Sequence, residues 1–209
     1  MKKFYLIDGH AQLFRAYYAP FRDLTSPSGE PVKAVYVFTQ MLLNVLRAEQ
    51  PDYLAIAFDV SDSTTHRKGW YPEYKAHRDK SPEDMQVQFE RIRQVIAALG
   101  IPTFELEGYE ADDIIATIAE RLKGEPIELR IASKDKDLHQ ILSPKVKLWD
   151  PSKGDLLDDE LLRLEKGYGP EQAVEIQTLV GDSTDNIPGA VGVGVKTAVK
   201  LIERYGTAD

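Results

Sequence analysis

The chain contains no cysteine. That absence removes disulfide frameworks, thiolate zinc sites and CxxC redox motifs together. Long apolar runs are also missing: stretches such as Leu54 to Phe58 fall far short of the about 20 residues that cross a bilayer. The opening Met1-Lys2-Lys3 reaches Asp8 at once, with no apolar region of the kind a signal peptide needs. A soluble, cytoplasmic protein without a membrane partner is therefore expected. An excess of positive charge is lacking as well, with 26 Lys and Arg against 34 Asp and Glu for a net charge of −8. At first sight this argues against a nucleic-acid partner, because phosphate binding usually shows as surplus Lys and Arg. Neither an internal repeat nor a low-complexity tract is present. What remains is ordinary globular composition, 43% hydrophobic and 29% charged over 209 residues, enough for one to two domains.

Short β-branched runs alternate with helical periodicity, the pattern of an α/β fold with a mostly parallel central sheet flanked by helices. Strands are expected over Phe4 to Ile7, Tyr53 to Phe58, Ile101 to Leu106, Glu128 to Ala132 and Val146 to Trp149. Apolar residues at helical spacing mark Ala34 to Leu46 and the stretch around Ile114 to Leu122. Another helix opens at Ser81-Pro82, buries Met85, Phe89, Ile92, Ile96 and Leu99, and closes at Gly100. After Pro151 no further strand is expected, and Gly169 to Tyr205 reads as all-helical. A soft boundary near residue 165 divides a core, residues 1–165, from a helical segment, residues 166–209.

The carboxylates are placed tellingly. Asp8, Asp59 and Asp135 follow three apolar strands, Asp137 lies two residues on, and Glu110, Asp112 and Asp113 follow a fourth. The carboxyl ends of parallel strands lie on one edge, where open α/β sheets build their sites. So many acids in one place need compensating charge, and oxygen donors without Cys or His beside them favour Mg²⁺ or Mn²⁺ over zinc. Each acid alone has an ordinary reading, since Asp after a strand is often a turn residue or N-cap. Acids at 110–113 also suit the first turn of a helix. Asp150, before Pro151, reads as a turn residue.

A second constellation runs from Ser63 to Lys80. Arg67, Lys68, Lys75, Arg78 and Lys80 outnumber Glu73 and Asp79, and Trp70, Tyr71, Tyr74, His66 and His77 are interleaved. Bases that track phosphates and aromatics that stack on bases are the ingredients of a single-strand groove, although a solvated loop with its aromatics folded inward fits equally well. With Asp182 and Asp185 counted beside the seven acids above, nine candidate ligands can be set aside. The other 25 acids then roughly balance the 26 bases, so net acidity is no objection to DNA.

The third feature is the glycine-rich stretch Pro188 to Thr197. It is not a P-loop, because Val195 separates the last glycine from Lys196 and no strand precedes it. A helix, a Gly192-Val193-Gly194 turn and a second helix make a helix-hairpin-helix instead, whose backbone N–H groups can grip a phosphate.

Six blocks in this order resemble the 5′ nuclease family, which includes the 5′→3′ exonuclease domain of bacterial DNA polymerase I, phage 5′ nucleases and flap endonucleases. They are Leu6 to His10, Ala57 to Asp59, Tyr74 to Arg78, Gly108 to Asp113, Ser133 to Leu138, and Gly181 to Gly189. The resemblance implies a PIN/resolvase-like fold with a helical arch, here about residues 62–90, and a C-terminal helix-hairpin-helix.

It further implies two Mg²⁺ (or Mn²⁺) ions, one held by Asp8, Asp59, Glu110 and Asp112. The other would be held by Asp135, Asp137 and Asp185, with Asp113 and Asp182 as neighbouring acids. Asp112 and Asp135 stand among the catalytic residues with Lys75 and Arg78, which match bases of the arch. Arg15 and Arg67 match further phosphate contacts. Gly192, Gly194, Lys196 and Thr197 match the duplex-holding hairpin, with K⁺ at its turn.

The implied activity is structure-specific 5′ nuclease action by two-metal-ion catalysis on DNA with a 5′ flap or 5′ end at a duplex junction, in primer removal and repair. RNA primers in RNA–DNA hybrids are a possible second substrate, and a monomer is expected. Neither His10 nor His139 is needed as a general base, and Tyr71 and Tyr74 are expected to stack on the unpaired strand. The chain stops at Asp209, where relatives continue with more helices; a polymerase fragment and a minimal stand-alone nuclease both fit, and both imply weaker, more salt-sensitive duplex binding. Two other classes stay open: a PIN-type metal-dependent ribonuclease and a non-catalytic nucleic-acid-binding module.

Overall fold

The computed structural model describes residues 1–60, 65–78 and 81–208. Six strands form one sheet in the order β3-β2-β1-β4-β5-β6. They are β1 (Lys2–Asp8), β2 (Tyr53–Ala57), β3 (Thr103–Phe104), β4 (Ile127–Ala132), β5 (Val146–Trp149) and β6 (Leu156–Leu157). The first five are parallel, and β6 closes the edge antiparallel to β5. β6 corrects the expectation that strands end at Pro151. The third strand is also shorter than expected, because proline has no N–H to give to a ladder. At its two ends the segment pairs through carbonyls: Pro102 accepts from Ile56 and Phe104 from Phe58.

Eight α-helices lie among the described residues: α1 (Gly9–Tyr17), α2 (Lys33–Asn44), α3 (His66–Trp70), α4 (Glu83–Ala98), α5 (Ala111–Arg121), α6 (Asp159–Lys166), α7 (Ala173–Val180) and α8 (Val195–Tyr205). The two-residue period of the strands sorts the core into layers. Tyr5 and Ile7 of β1 face α1, α2 and α4 with Phe38, Leu42, Ile56, Ile92 and Ile96. Leu6 faces the other way, into a layer shared with Ile115 of α5, Leu162 of α6, Ile176 of α7 and Ile202 of α8. The C-terminal helices therefore pack on the same core as the sheet.

The helix expected from Ser81 begins at Glu83, with Pro82 at the cap and no side-chain cap bond. Met85, Ile92 and Ile96 are buried as expected, whereas Leu99 at its end is exposed. Helix α1 was not anticipated. Its N-cap is Asp8, whose Oδ1 accepts from the Ala11 N–H at 3.0 Å. Gly9 follows because a Cβ there would lie 2.1 Å from the Phe58 ring. The residues Ser63, Asp79 and Lys80 of the basic stretch lie outside the described residues.

Candidate metal centre

Parallel strands deliver the first acids to one edge of the sheet. Asp8 ends β1, and its Oδ2 accepts from the Ser133 hydroxyl at 2.9 Å, just past β4. Asp59 follows β2, and its Oδ1 accepts from the Ala111 N–H at 2.6 Å, tying it to the start of α5. The Asp59 N–H in turn donates to Nδ1 of His10 at 3.1 Å. Glu110 is the N-cap of α5 in a capping box with Asp113. Acids fit this place because the positive end of the helix favours them.

Glu110 is buried and unevenly satisfied. Its Oε2 accepts from the Tyr74 hydroxyl and the Lys75 ammonium, both at 2.9 Å, and lies 3.5 Å from Arg67. Among the described residues, its Oε1 is buried without a hydrogen-bond partner. An orphaned carboxylate oxygen is costly in a folded interior unless a cation takes it. Burial also pushes the Asp8 carboxyl up to about 6, with the charges of Asp59 and Asp135 adding to it. Asp112 is pushed up to about 7, chiefly by burial, with Arg67 opposing and Asp113 and Glu110 adding. Asp113 behaves oppositely. Burial would raise it, but Arg67 grips both its oxygens, at 2.7 and 2.8 Å, and carries its carboxyl below the ordinary value.

The second group is assembled by loops. Asp137, Asp182 and Asp185 each offer an oxygen, and these lie within 4.8 Å of one another, close enough to share one cation. Asp137 is raised by burial and by the charges of Asp135, Asp182 and Asp185, against a hydrogen bond from Gln177. For Asp182, burial is outweighed by the Thr184 N–H and by Lys136 at 3.2 Å, which together lower it. Asp185 receives Arg78 at 2.6 Å and the Tyr74 hydroxyl at 3.0 Å. Asp135 caps the turn bearing Asp137, and its charge helps raise the carboxyls of both Asp8 and Asp137.

All nine expected acids therefore gather in two adjoining groups, with Lys75, Arg78 and Arg67 among them. Among the described residues, the segment expected to form an arch contains α3, a run of turns and the start of α4, and its Arg67, Lys75 and Arg78 reach into the acids. Lys75 sits at φ 54, a region uncommon for side chains other than glycine. Its N–H donates to the Asp185 carbonyl at 3.0 Å. Arg15 is held elsewhere, on Asp150 at 2.7 Å and on the Ser152 hydroxyl. Gly192, Gly194, Lys196 and Thr197 are exposed at the start of α8, where the Gly194 carbonyl accepts from Thr197 and Ala198.

Two readings need correction. Tyr74 is 4% exposed and donates into the acidic centre, so it is not available to stack on a strand; Trp70, 84% exposed, is the open aromatic of the stretch. Asp150 is more than a turn residue. It is buried and accepts from Arg15, Lys134 and Ser152, which carry its carboxyl well below the ordinary value against the opposing effect of burial. Ser133 and Gln177 orient Asp8 and Asp137; Ser133 lies in the Ser133 to Leu138 stretch of the sequence, whereas nothing in the sequence marks Gln177.

A family model described as 5′-3′ exonuclease, N-terminal resolvase-like domain, matches residues 3–169, and one described as 5′-3′ exonuclease, C-terminal SAM fold, matches residues 168–209. DNA polymerase I of Bacillus caldotenax is 42% identical over all of this chain and 24% of its own length. The 5′-3′ exonuclease of Aquifex aeolicus is 36% identical over all of this chain and 72% of its own. The chain thus spans about a quarter of the polymerase relative. The bacteriophage T5 flap endonuclease, solved as a pseudo-enzyme–product complex with DNA and metal ions, shares the fold with a TM-score of 0.79. That match is 20% identical and covers 99% of this chain and 76% of the phage one. With the two family models meeting end to end along its length, the chain belongs to the 5′-3′ exonuclease family.

Proposed function

We propose that this chain is a structure-specific 5′ nuclease, hydrolysing DNA phosphodiesters as a 5′→3′ exonuclease and at 5′ flaps, in primer removal and repair. The observation that carries the reading is the buried, partnerless Oε1 of Glu110 amid carboxylates whose pKa values are raised. The donor set, all oxygen, fits Mg²⁺ or Mn²⁺. Asp8, Asp59, Glu110 and Asp112 would hold one ion. Asp135, Asp137, Asp182 and Asp185 would hold the other, with Asp113 fixing Arg67. When bound, such ions activate water and stabilise charge on the leaving oxygen.

The chain's own residues do the rest. Lys75 and Arg78, whose charged ends lie among the acids, neutralise charge growing on the phosphate. The oxygen of water ends on the product's 5′-phosphate, and a proton ends on the released 3′-hydroxyl. No histidine acts as general base: His10 Nδ1 accepts from Asp59, and His139 Nδ1 faces the Tyr168 hydroxyl at 2.9 Å. Arg15, Arg67 and the exposed start of α8, with K⁺ at the Gly192-Val193-Gly194 turn, grip phosphates of the duplex. Residues 1–165 serve as nuclease core and 166–209 as DNA-holding segment. The chain works as a cytoplasmic monomer, and RNA primers in hybrids are a second substrate. Among the described residues, no helix is long and apolar enough to cross a membrane.

The test is cleavage of an end-labelled 5′-flap DNA with Mg²⁺, with EDTA and with Asp135→Ala. Cutting near the junction that needs both metal and Asp135 is expected. Cleavage that survives EDTA, or a preference for single-stranded RNA over the flap, overturns the reading.

A further inference from the structure

The hydroxyl of Tyr74 lies 2.9 Å from Oε2 of Glu110 and 3.0 Å from Oδ2 of Asp185. Those acids belong to different groups, Glu110 with Asp59 and Asp112, Asp185 with Asp137 and Asp182. A phenol has one proton to donate, so the two carboxylates share it. We propose that Tyr74 is a positioning residue that fixes the spacing of the two groups and couples their cation binding, an inference that rests on the metal reading above.

The surroundings of Tyr74 are built to hold it there. Lys75 binds the same Glu110 oxygen at 2.9 Å, Arg78 binds the other oxygen of Asp185 at 2.6 Å, and the Lys75 N–H takes the Asp185 carbonyl. One short turn thus grips both groups by side chain and backbone. The φ of 54 at Lys75 marks a conformation that persists only where its surroundings over-determine it. Because Tyr74 and Lys75 occupy Oε2, the partnerless Oε1 is the oxygen of Glu110 left for a cation. Without the hydroxyl, two neighbouring carboxylates lose their shared donor and repel.

Groups that orient metal ligands typically cost about 10–100-fold in metal affinity when removed. The experiment compares Mn²⁺ binding to the full chain, to Tyr74→Phe and to Tyr53→Phe, by calorimetry and by electron paramagnetic resonance. Tyr53→Phe removes a hydroxyl bonded to Lys2 at the opposite end of the sheet. The wild type and Tyr53→Phe should each bind two ions alike. Tyr74→Phe should bind both ions about 10–100-fold more weakly, with the thermal midpoint confirming that it is folded. Wild-type affinities in Tyr74→Phe, or loss at one site alone, overturn the coupling while leaving the metal centre standing. A wild type that binds no divalent ion overturns both.

A second measurement needs no variant. With tyrosine labelled by ¹³C at Cζ, the Tyr74 signal of the wild type should move in two successive steps as Mg²⁺ is added. A signal that moves once or not at all overturns the proposal.

Discussion

Replacing Gly181 by alanine should damage the protein more than replacing Gly189, although the two touch the same spot. Gly181 ends α7 at φ 71 and ψ −174, a backbone region open almost only to glycine and costing other residues about 1–3 kcal/mol. A Cβ on Gly181 would lie 2.3 Å from the Gly189 nitrogen and 2.6 Å from the Ile187 carbonyl oxygen. Across the approach, a Cβ on Gly189 would lie 2.2 Å from the Val180 carbonyl oxygen. Both clashes are with backbone, which cannot swing aside, and forcing extra atoms into such packing costs about 1–3 kcal/mol. Gly189→Ala bears the clash alone, whereas Gly181→Ala adds the strain and reaches about 2–6 kcal/mol.

At about 2–4 °C per kcal/mol for a chain of this size, the midpoints should fall by about 2–12 °C and about 4–24 °C respectively. Thermal unfolding followed by circular dichroism measures both. The loop they pin down bears Asp182 and Asp185, held by the paired N–H and carbonyl groups of Asp182 and Ile187 at 2.8 and 2.7 Å. Mn²⁺ affinity should therefore fall in the same order. Equal midpoints for the two variants, or a Gly181→Ala protein as stable as wild type, would refute the argument from backbone geometry.

Asp112, at about 7 against an ordinary 3.8, binds a proton in the folded state that the unfolded chain does not hold at that pH. Stability in EDTA should therefore rise as pH falls from about 8 to 6.5, and Asp112→Asn should flatten that rise. Below 6.5 His139, lowered chiefly by burial, opposes the trend, so thermal midpoints within the upper window decide; a wild-type midpoint that falls between pH 8 and 6.5 sinks the idea. Asp158 caps α6 by accepting from the Leu161 N–H at 3.1 Å. Asp158→Ala should cost about 1 kcal/mol, measurable by urea titration, and an unchanged midpoint would count against the cap. Lys75→Met should slow single-turnover flap cleavage by about 100-fold, and an unchanged rate would count against a role for its charge at the phosphate.

Strands β1, β4 and β5 were legible within a residue or two, because each carries apolar residues either in a run or at a two-residue spacing. The sheet edge that gathers the acids followed from them, since Asp8 and Asp59 end runs whose direction a parallel sheet dictates. Helix α1 was not legible: its inward face has only Gly9, Gln12, Leu13 and Ala16, too few apolar residues to show a stripe. Nor did β6 announce itself, as two leucines in a polar stretch gain strand geometry only from pairing with Trp149 and Leu148. The stretch around Tyr74 misled for a different reason. A mix of bases and aromatics fits a groove for single strands and an inward-turned loop equally well, and only the distant carboxylates of Glu110 and Asp185 decide which side faces in. Asp150 hid similarly, because its importance comes from Arg15, 135 residues earlier.

The linkages that build the acidic centre reach far along the chain. Tyr74 and Asp185 are 111 residues apart, and Asp8 and Ser133 are 125 apart. Contacts of such long range form late in folding, after the entropy of closing large loops has been met. A chain still emerging from the ribosome holds Asp137 well before it holds Asp182 and Asp185, its partners in the second group. The second group of acids should consequently assemble abruptly, and only once the segment bearing Asp182 and Asp185 has been added to the chain.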